Sequence, residues 1–504
     1  MRHRIVGIFG VICCALAVIA PQQTAQRETI AIDAKGAGRP FPHFWEKMFG
    51  SGRAILALRE DYRRDLRAVR SVTGLQYVRF HHILGDEVGV YSEDGGGAPV
   101  YNFNYVDQIY DGLLDNGARP FVELSFMPRA LAASQTPHAF WYKPLPSPPK
   151  SYDRWGELVH ALTTHLVERY GVDEVSQWYF EVWNEPNIDF WTGNPKQTTY
   201  WELYDSAAQA VKRVSPRLRV GGPATAQAAW ADAFIAHCAS KNIPADFVST
   251  HVYANDKAED VFGTHESIPR SDMVARSVKK VFDQVKRSER SNLPIIWSEY
   301  NASYMTEPNV TDAPFMGPWL ANNIRQCDGM ADIMAYWSFS DVFEEQGVEK
   351  TPFYGGYGLI APRGIPKPAF NAFALLHQLG AERISLNLSN ALATRRPDGT
   401  LAIVIWNYAD PGKDGPQKTF ALELTNADAL RSARIQMVDA DHGDARQAWS
   451  KMGSPASPTR DQVVKLRQAA ELPQPEKRAL SASSPSRLEV TLPAHALALV
   501  EVSR

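Results

Sequence analysis

Two glutamates stand where apolar runs end. In Trp178-Tyr179-Phe180-Glu181-Val182-Trp183-Asn184-Glu185-Pro186-Asn187 a β-like stretch stops at Glu185, and Pro186, which cannot donate a ladder hydrogen bond, marks its end. In Pro294-Ile295-Ile296-Trp297-Ser298-Glu299-Tyr300-Asn301 a second apolar run delivers Glu299 at an equivalent place. Cleaving a glycoside needs such a pair: a protonated carboxyl gives its proton to the leaving oxygen, and a second carboxylate stands across the sugar. At a separation of about 5–5.5 Å the second attacks the anomeric carbon directly and configuration is retained. Glu185 is accordingly the candidate acid/base and Glu299 the candidate nucleophile. Burial and the nearby second carboxylate would raise the pKa of the acid. Asn184, one residue before it, is placed to hydrogen-bond the sugar 2-hydroxyl. A single strand-end glutamate is more often an ordinary satisfied polar group; the pairing on two separate strands lifts both above that reading.

Other strand ends offer a polar and aromatic shell: Arg79-Phe80-His81-His82, Thr250-His251-Val252-Tyr253 and Tyr336-Trp337-Ser338-Phe339-Ser340-Asp341, with Glu344 and Glu345 just beyond. Tyr253 is a candidate donor to the nucleophile and Trp337 a candidate platform under the sugar, while Glu344 could accept hydrogen bonds from its hydroxyls. Packed or solvated rim residues are the ordinary alternative for each. His81 and His82 are neighbours on a strand and point to opposite faces, a poor chelate. No metal and no cofactor is expected.

The elements that must position these groups alternate from about residue 40 to 380. Strand patterns occur at 43–49, 76–80, 119–126, 177–183, 218–221, 246–251, 294–298 and 332–339. Amphipathic helix patterns fall between and after them, at 62–72, 105–114, 152–170, 200–214, 230–240, 272–287, 318–326 and 368–379. Strand–helix units in that order predict an α/β fold, a (β/α)8 TIM barrel, over 36–380, with its chemistry at the C-terminal strand ends. An open doubly wound sheet is the alternative, but the glycine-rich phosphate loop that usually accompanies one is missing. Beyond Gly380 short β-like segments divided by turn residues predict an accessory β-sandwich over 381–504, joined by a strand from 27–35. The stretch 452–486, rich in Ser, Pro and charge, predicts a long loop. Residues 134–150, rich in Pro and aromatics, predict one wall of the pocket.

The first 26 residues have secretory character: Arg2 and Arg4 precede an apolar stretch from Ile5 to Ala20. That stretch is short for a membrane span, so a cleaved signal is preferred over a retained anchor, and a secreted or periplasmic location follows. Without the signal, Cys238 and Cys327 remain, too few for a disulfide framework or a metal motif, and both read as buried thiols. A formal net charge of -3 gives no basic footprint for nucleic acid. With 13 Trp, 19 Tyr and 22 Phe the chain holds enough aromatics to line a sugar cleft after filling a core. The expected partner is an oligosaccharide or glycoside.

Taken as a set, the segments 180–187, Phe190-Trp191, Val220-Gly221-Gly222-Pro223-Ala224, 246–251, 298–301 and 336–345 resemble family 39 of the glycoside hydrolases, and within it the bacterial β-xylosidases. The resemblance runs from about His43 to Gly380 and more loosely into the sandwich. It implies a retaining, exo-acting enzyme with Glu185 as acid/base and Glu299 as nucleophile. It implies that His81, Asn184, His251, Tyr253, Trp337 and Glu344 contact the terminal xylose. One departure is His82, where the family tends to have a small residue; a bulky side chain there would narrow the pocket. The family also admits iduronidases, and a retaining enzyme for an arabinoside, a uronide or an internal polysaccharide bond is the second reading. A binding barrel that has lost catalysis is the third, disfavoured by the intact carboxyl pair.

Overall fold

The computed structural model describes residues 26–481 and 484–504. The segment read as a signal therefore lies, but for Gln26, outside the described residues. Among the described residues no helix is long and apolar enough to cross a membrane.

Eight parallel strands close into a barrel: Met48–Gly50, Tyr77–Arg79, Arg119–Leu124, Tyr179–Val182, Arg219–Thr225, Phe247–Tyr253, Ile295–Asn301 and Ile333–Tyr336. Major helices alternate with them, beginning with Glu60–Arg70 and ending with Pro368–His377. The helix Tyr152–Tyr170 shows why local sequence suffices for such elements. Ser151 caps it by accepting from the Arg154 N–H, Gly171 leaves it at φ 81°, and Trp155, Leu158, Val159, Leu162 and Leu166 recur at helical spacing on its buried face. At the N-terminal mouth of the barrel Met48, Tyr77, Phe121, Phe247, Ile296 and Ile333 pack into an apolar plug. The polar residues of the strands collect at the other end.

Strand one is shorter than expected, because residues 43–47 form a turn ahead of it. That turn is fastened rather than loose: the buried Glu46 carboxylate receives His43 Nδ1 at 2.6 Å and His377 Nδ1, from the last barrel helix, at 2.9 Å. Strand five runs on through Pro223 to Thr225, past the Gly221 at which the sequence pattern stops.

The C-terminal part is a two-layer β-structure. One layer holds Gly38–Pro40, Glu382–Ile384, Ala391–Arg395, Leu401–Trp406, Leu497–Ser503, Ser432–Val438 and Glu476–Ala479; the other holds Gln26–Asp33, Lys418–Thr425 and Ser486–Leu492. Strand Gln26–Asp33 pairs in parallel with Lys418–Thr425. Ile403 and Ile405 face the smaller layer, while Val404 and Trp406 join the barrel core, so the run Leu401–Trp406 is buried on both faces and apolar throughout.

The expected long loop at 452–486 is corrected by the structure. It contains the helix Arg460–Ala469 and the edge strand Glu476–Ala479. A capping box at Thr459 and Gln462 starts the helix, and Val463 and Leu466 then seat it against Phe353 and Ile365. The prolines flank these elements rather than interrupt them. Cys238 and Cys327 are free and buried.

Candidate active site

Glu185 and Glu299 meet at the C-terminal mouth. The chain leaves strand four through two left-handed residues, Trp183 (φ 74°) and Glu185 (φ 47°). Such backbone is costly for non-glycine residues and persists where surrounding contacts over-determine it. Those contacts are visible: Trp183 Nε1 donates to the Phe190 carbonyl at 2.8 Å, Glu185 N–H to the Ala224 carbonyl at 2.8 Å, and the Asn187 amide both donates to and accepts from the backbone of Ala226. Glu299 sits within strand seven, and a register shift between Thr250 and His251 on strand six places His251 beside it. A Glu185 oxygen, a Glu299 oxygen and a His251 nitrogen all lie within 4.8 Å of one another. That is the close spacing of carboxyls that act by direct attack, not the wider one that leaves room for a water.

Arg79, wholly buried, organises the carboxylates from below. Its guanidinium donates to Glu181 at 2.6 Å, Glu299 at 2.6 Å, Glu123 at 2.8 Å and Asn184 Oδ1 at 3.0 Å. The Tyr253 hydroxyl donates to the other Glu299 oxygen at 2.6 Å. Burial, then the negative charge of Glu299, holds the Tyr253 pKa well above its ordinary value, so it stays a donor. His81 Nδ1 lies 2.8 Å from Glu123; burial would lower its pKa, but Glu123 and Glu299 together raise it.

Hydrogen-bond polarity locates the proton on Glu185. Ser298 Oγ–H donates to Glu181, itself held by Arg79, at 2.6 Å. Ser298 Oγ is then the acceptor for His251 Nε2–H at 3.1 Å. Burial, with Arg79 and His81 nearby, keeps the His251 pKa well below its usual value, so the ring is neutral and has a single N–H. Its Nδ1 is therefore a lone pair, and the Glu185 oxygen 3.0 Å away must bring the hydrogen. Burial first, then Glu299 and Asp256, pushes the Glu185 pKa well up, which agrees with that assignment. Although Glu185, His251 and Glu299 have the spacing of a metal-ligand set, the His251 nitrogen they share is already engaged by the Glu185 proton.

The two glutamates line a cavity of about 270 Å³ together with His81, Asn184, Tyr253 and Trp337. Strand one must carry glycine here, since a Cβ at Gly50 would lie 2.0 Å from the Trp337 ring. His251 stands behind the cavity wall as the partner of Glu185. Phe140, from the 134–150 segment, forms part of the rim, and Trp141 N–H ties that segment to the Glu345 carbonyl at 2.8 Å.

Three expectations are corrected, the first that of His251 as a sugar contact, since it is not among the residues that line the cavity. Glu344 does not face the cavity: at φ 63° its backbone turns the carboxylate away, to Arg53 at 3.1 Å and Arg59 at 2.5 Å. Its neighbour Glu345 lines the cavity instead, 3.7 Å from His81 Nε2. Burial pushes the Glu345 pKa up to about 8; His81 opposes this and Glu299 adds to it. A protonated Glu345 at neutral pH can donate as well as accept. Nor does His82 narrow the pocket. It is buried at φ 74° against Phe126 and Tyr142, behind the wall, with its pKa depressed to about 3 by burial and by Arg53. Sequence reasoning also missed Asp256 and Tyr357 on the cavity wall. The only signal for Asp256 was its position three residues after Tyr253.

The family model for glycosyl hydrolases family 39 matches residues 28–486. A beta-xylosidase of Geobacillus stearothermophilus is 37% identical over 475 residues, 92% of this chain and 93% of that protein. Among solved structures, a monomeric beta-xylosidase from Caulobacter crescentus superposes with a TM-score of 0.85 at 33% identity, covering 94% of this chain and 99% of that one. A GH39 enzyme from Xanthomonas axonopodis pv. citri gives 0.86 at 31% identity, covering 97% and 99%.

Proposed function

Because the chain belongs to family 39 of the glycosyl hydrolases, we propose that it is a retaining β-xylosidase that removes terminal xylose from xylo-oligosaccharides by double displacement. The observation that carries this reading is the carboxyl pair: Glu185 and Glu299 face each other within 4.8 Å, one holding a proton and the other held by Arg79 and Tyr253.

In the first displacement Glu299 attacks the anomeric carbon, the bond to the leaving oxygen breaks, and the Glu185 proton passes to that oxygen. The product is a glycosyl ester of Glu299 and a free leaving group. Glu185 is now a carboxylate facing the lone pair of His251 Nδ1, an unfavourable contact that draws a proton back. Esterification has meanwhile removed the charge of Glu299, the nearest anion that opposed ionisation of Glu185. Glu185 then takes a proton from water as the water oxygen attacks the anomeric carbon, and the ester bond breaks to regenerate Glu299. Trp337 supplies an apolar floor, and Asn184 reaches the sugar 2-hydroxyl while Glu345 and His81 reach its other hydroxyls.

A uronide is the poorer substrate on this geometry. Among the described residues that line the cavity none is Lys or Arg to pair with a sugar carboxylate. The amino-terminal pattern of Arg2 and Arg4 before an apolar stretch supports export, and the mass of the purified native protein tests it.

Proton NMR on xylo-oligosaccharides tests the function. Xylose released from chain ends and first appearing as the β anomer is expected, with no turnover by Glu299→Gln. Inverted product, or full activity in that variant, overturns the reading.

A further inference from the structure

Beside Glu185 lies a third carboxyl that the proposed reaction does not use. The Asp256 backbone N–H donates to the Tyr253 carbonyl at 3.0 Å, and Asp256 Oδ2 accepts from the Tyr253 N–H at 2.8 Å. This reciprocal pairing fixes the side chain on the cavity wall. No donor among the described residues reaches Oδ1. Burial, with Asp260 nearby, raises its pKa to about 7.

Its position is on the leaving-group side. The chain reaches Asp256 from strand six, whose Thr250 pairs with Thr225 at the head of the segment that holds Ala226 and Gln227, and Asp256 lines the cavity with Glu185, whose backbone N–H donates to Ala224 in that same segment. The same side is walled by the segment that follows strand five, where Ala224, Gln227, Ala228 and Trp230 are all left-handed (φ 52°, 62°, 51° and 59°). Strain concentrated in non-glycine residues is typical of segments that hold a ligand. Ala226 on that segment, and Ile188 next to the Asn187 amide that bonds its backbone, add apolar lining. Gln227 turns its amide nitrogen outward, 3.4 Å from Asp260. Against this apolar lining the unpartnered carboxyl oxygen is an acceptor aimed at whatever leaves with the Glu185 proton.

We propose that Asp256 receives a hydroxyl of the departing sugar, so that the enzyme favours xylose linked to a second sugar over xylose linked to an aglycone without hydroxyls. The inference rests on the xylosidase reading above. It differs from a role through Glu185 alone, because a contact to the departing sugar matters only when that sugar is present.

The test compares xylobiose with methyl β-xyloside, two substrates that both need acid assistance but of which only the first has a hydroxyl-bearing leaving group. For Asp256→Asn, kcat/KM on xylobiose is expected to fall at least tenfold more than on methyl β-xyloside, since a hydrogen bond to a charged group carries roughly that factor or more. Equal falls on the two substrates, or no fall on either, overturn the proposal. Should Asp256→Asn lose both activities, Asp256→Ser, which keeps an acceptor for the Tyr253 N–H, decides by the same ratio. Wild-type protein that cleaves neither substrate would instead refute the xylosidase reading and the inference with it.

Discussion

Replacing Glu185 by Gln separates the thermodynamic and the chemical consequences of one proton. In the fold the Glu185 carboxyl has its pKa raised well above the ordinary 4.5, chiefly by burial and then by Glu299. Between those two pKa values the native protein binds a proton that the unfolded chain lacks. Stability therefore falls as pH rises through that window, by at most about 1.4 kcal/mol per pH unit. A glutamine amide copies the protonated acid and can donate to His251 Nδ1 as the acid does at 3.0 Å, but it does not titrate. Glu185→Gln should thus match wild type near pH 4 and become progressively more stable than it as pH rises, up to the native pKa. Urea unfolding at several pH values reads this gap. Catalysis moves the other way. Loss of general acid assistance costs about 10²–10⁴-fold, and the cost should be large for alkyl or sugar leaving groups and small for nitrophenyl ones, which depart without a proton. A stability gap that does not change with pH would refute the assignment of the proton to Glu185. A rate loss equal across leaving groups would refute its role as acid.

Three further outcomes follow from the geometry. Tyr253→Phe removes a 2.6 Å hydrogen bond to the Glu299 carboxylate, and kcat/KM on nitrophenyl xyloside should drop about tenfold to a hundredfold with thermal stability little changed. Adjacent residues 344 and 345 should behave oppositely: Glu345→Ala raises KM for xylosides, whereas Glu344→Ala strips Arg53 and Arg59 of a shared buried partner and lowers the unfolding midpoint. Lys367→Met leaves Asp312 and Asp341, at 2.7 and 2.6 Å from Nζ and fully buried, without their cation, and urea unfolding should show a loss of about 3–5 kcal/mol. Because Gly355 and Gly358 N–H groups are held by the same two aspartates, that variant should also loosen Tyr357 on the cavity wall.

The barrel was legible because its signals are local. Alternation of apolar runs with helical spacing, Ser151 before a helix, Gly171 after it and Pro186 past a strand end each act through the backbone within a few residues. Where local signals were weak the reading failed. The helix Arg460–Ala469 was hidden by surrounding Ser and Pro although its capping box stood in the sequence, and the short strands Glu382–Ile384 and Ala391–Arg395 exist mainly because neighbours pair with them.

The same division runs through the site. The sequence by itself determined that Glu185, Glu299, His81, Tyr253 and Trp337 emerge at one mouth, since strand ends of a closed barrel converge by necessity. Only the tertiary structure decided where the protons lie and which way the loop carboxyls point. The chain Arg79–Glu181–Ser298–His251–Glu185 links residues from strands two, four, six and seven, and no sequence spacing predicts a relay across the barrel floor. The choice of Glu345 over Glu344 rests on a single left-handed residue, which reverses the direction of neighbouring side chains in a segment where strand alternation no longer holds. Backbone period orients side chains within an element; beyond its end, burial and partner charge do.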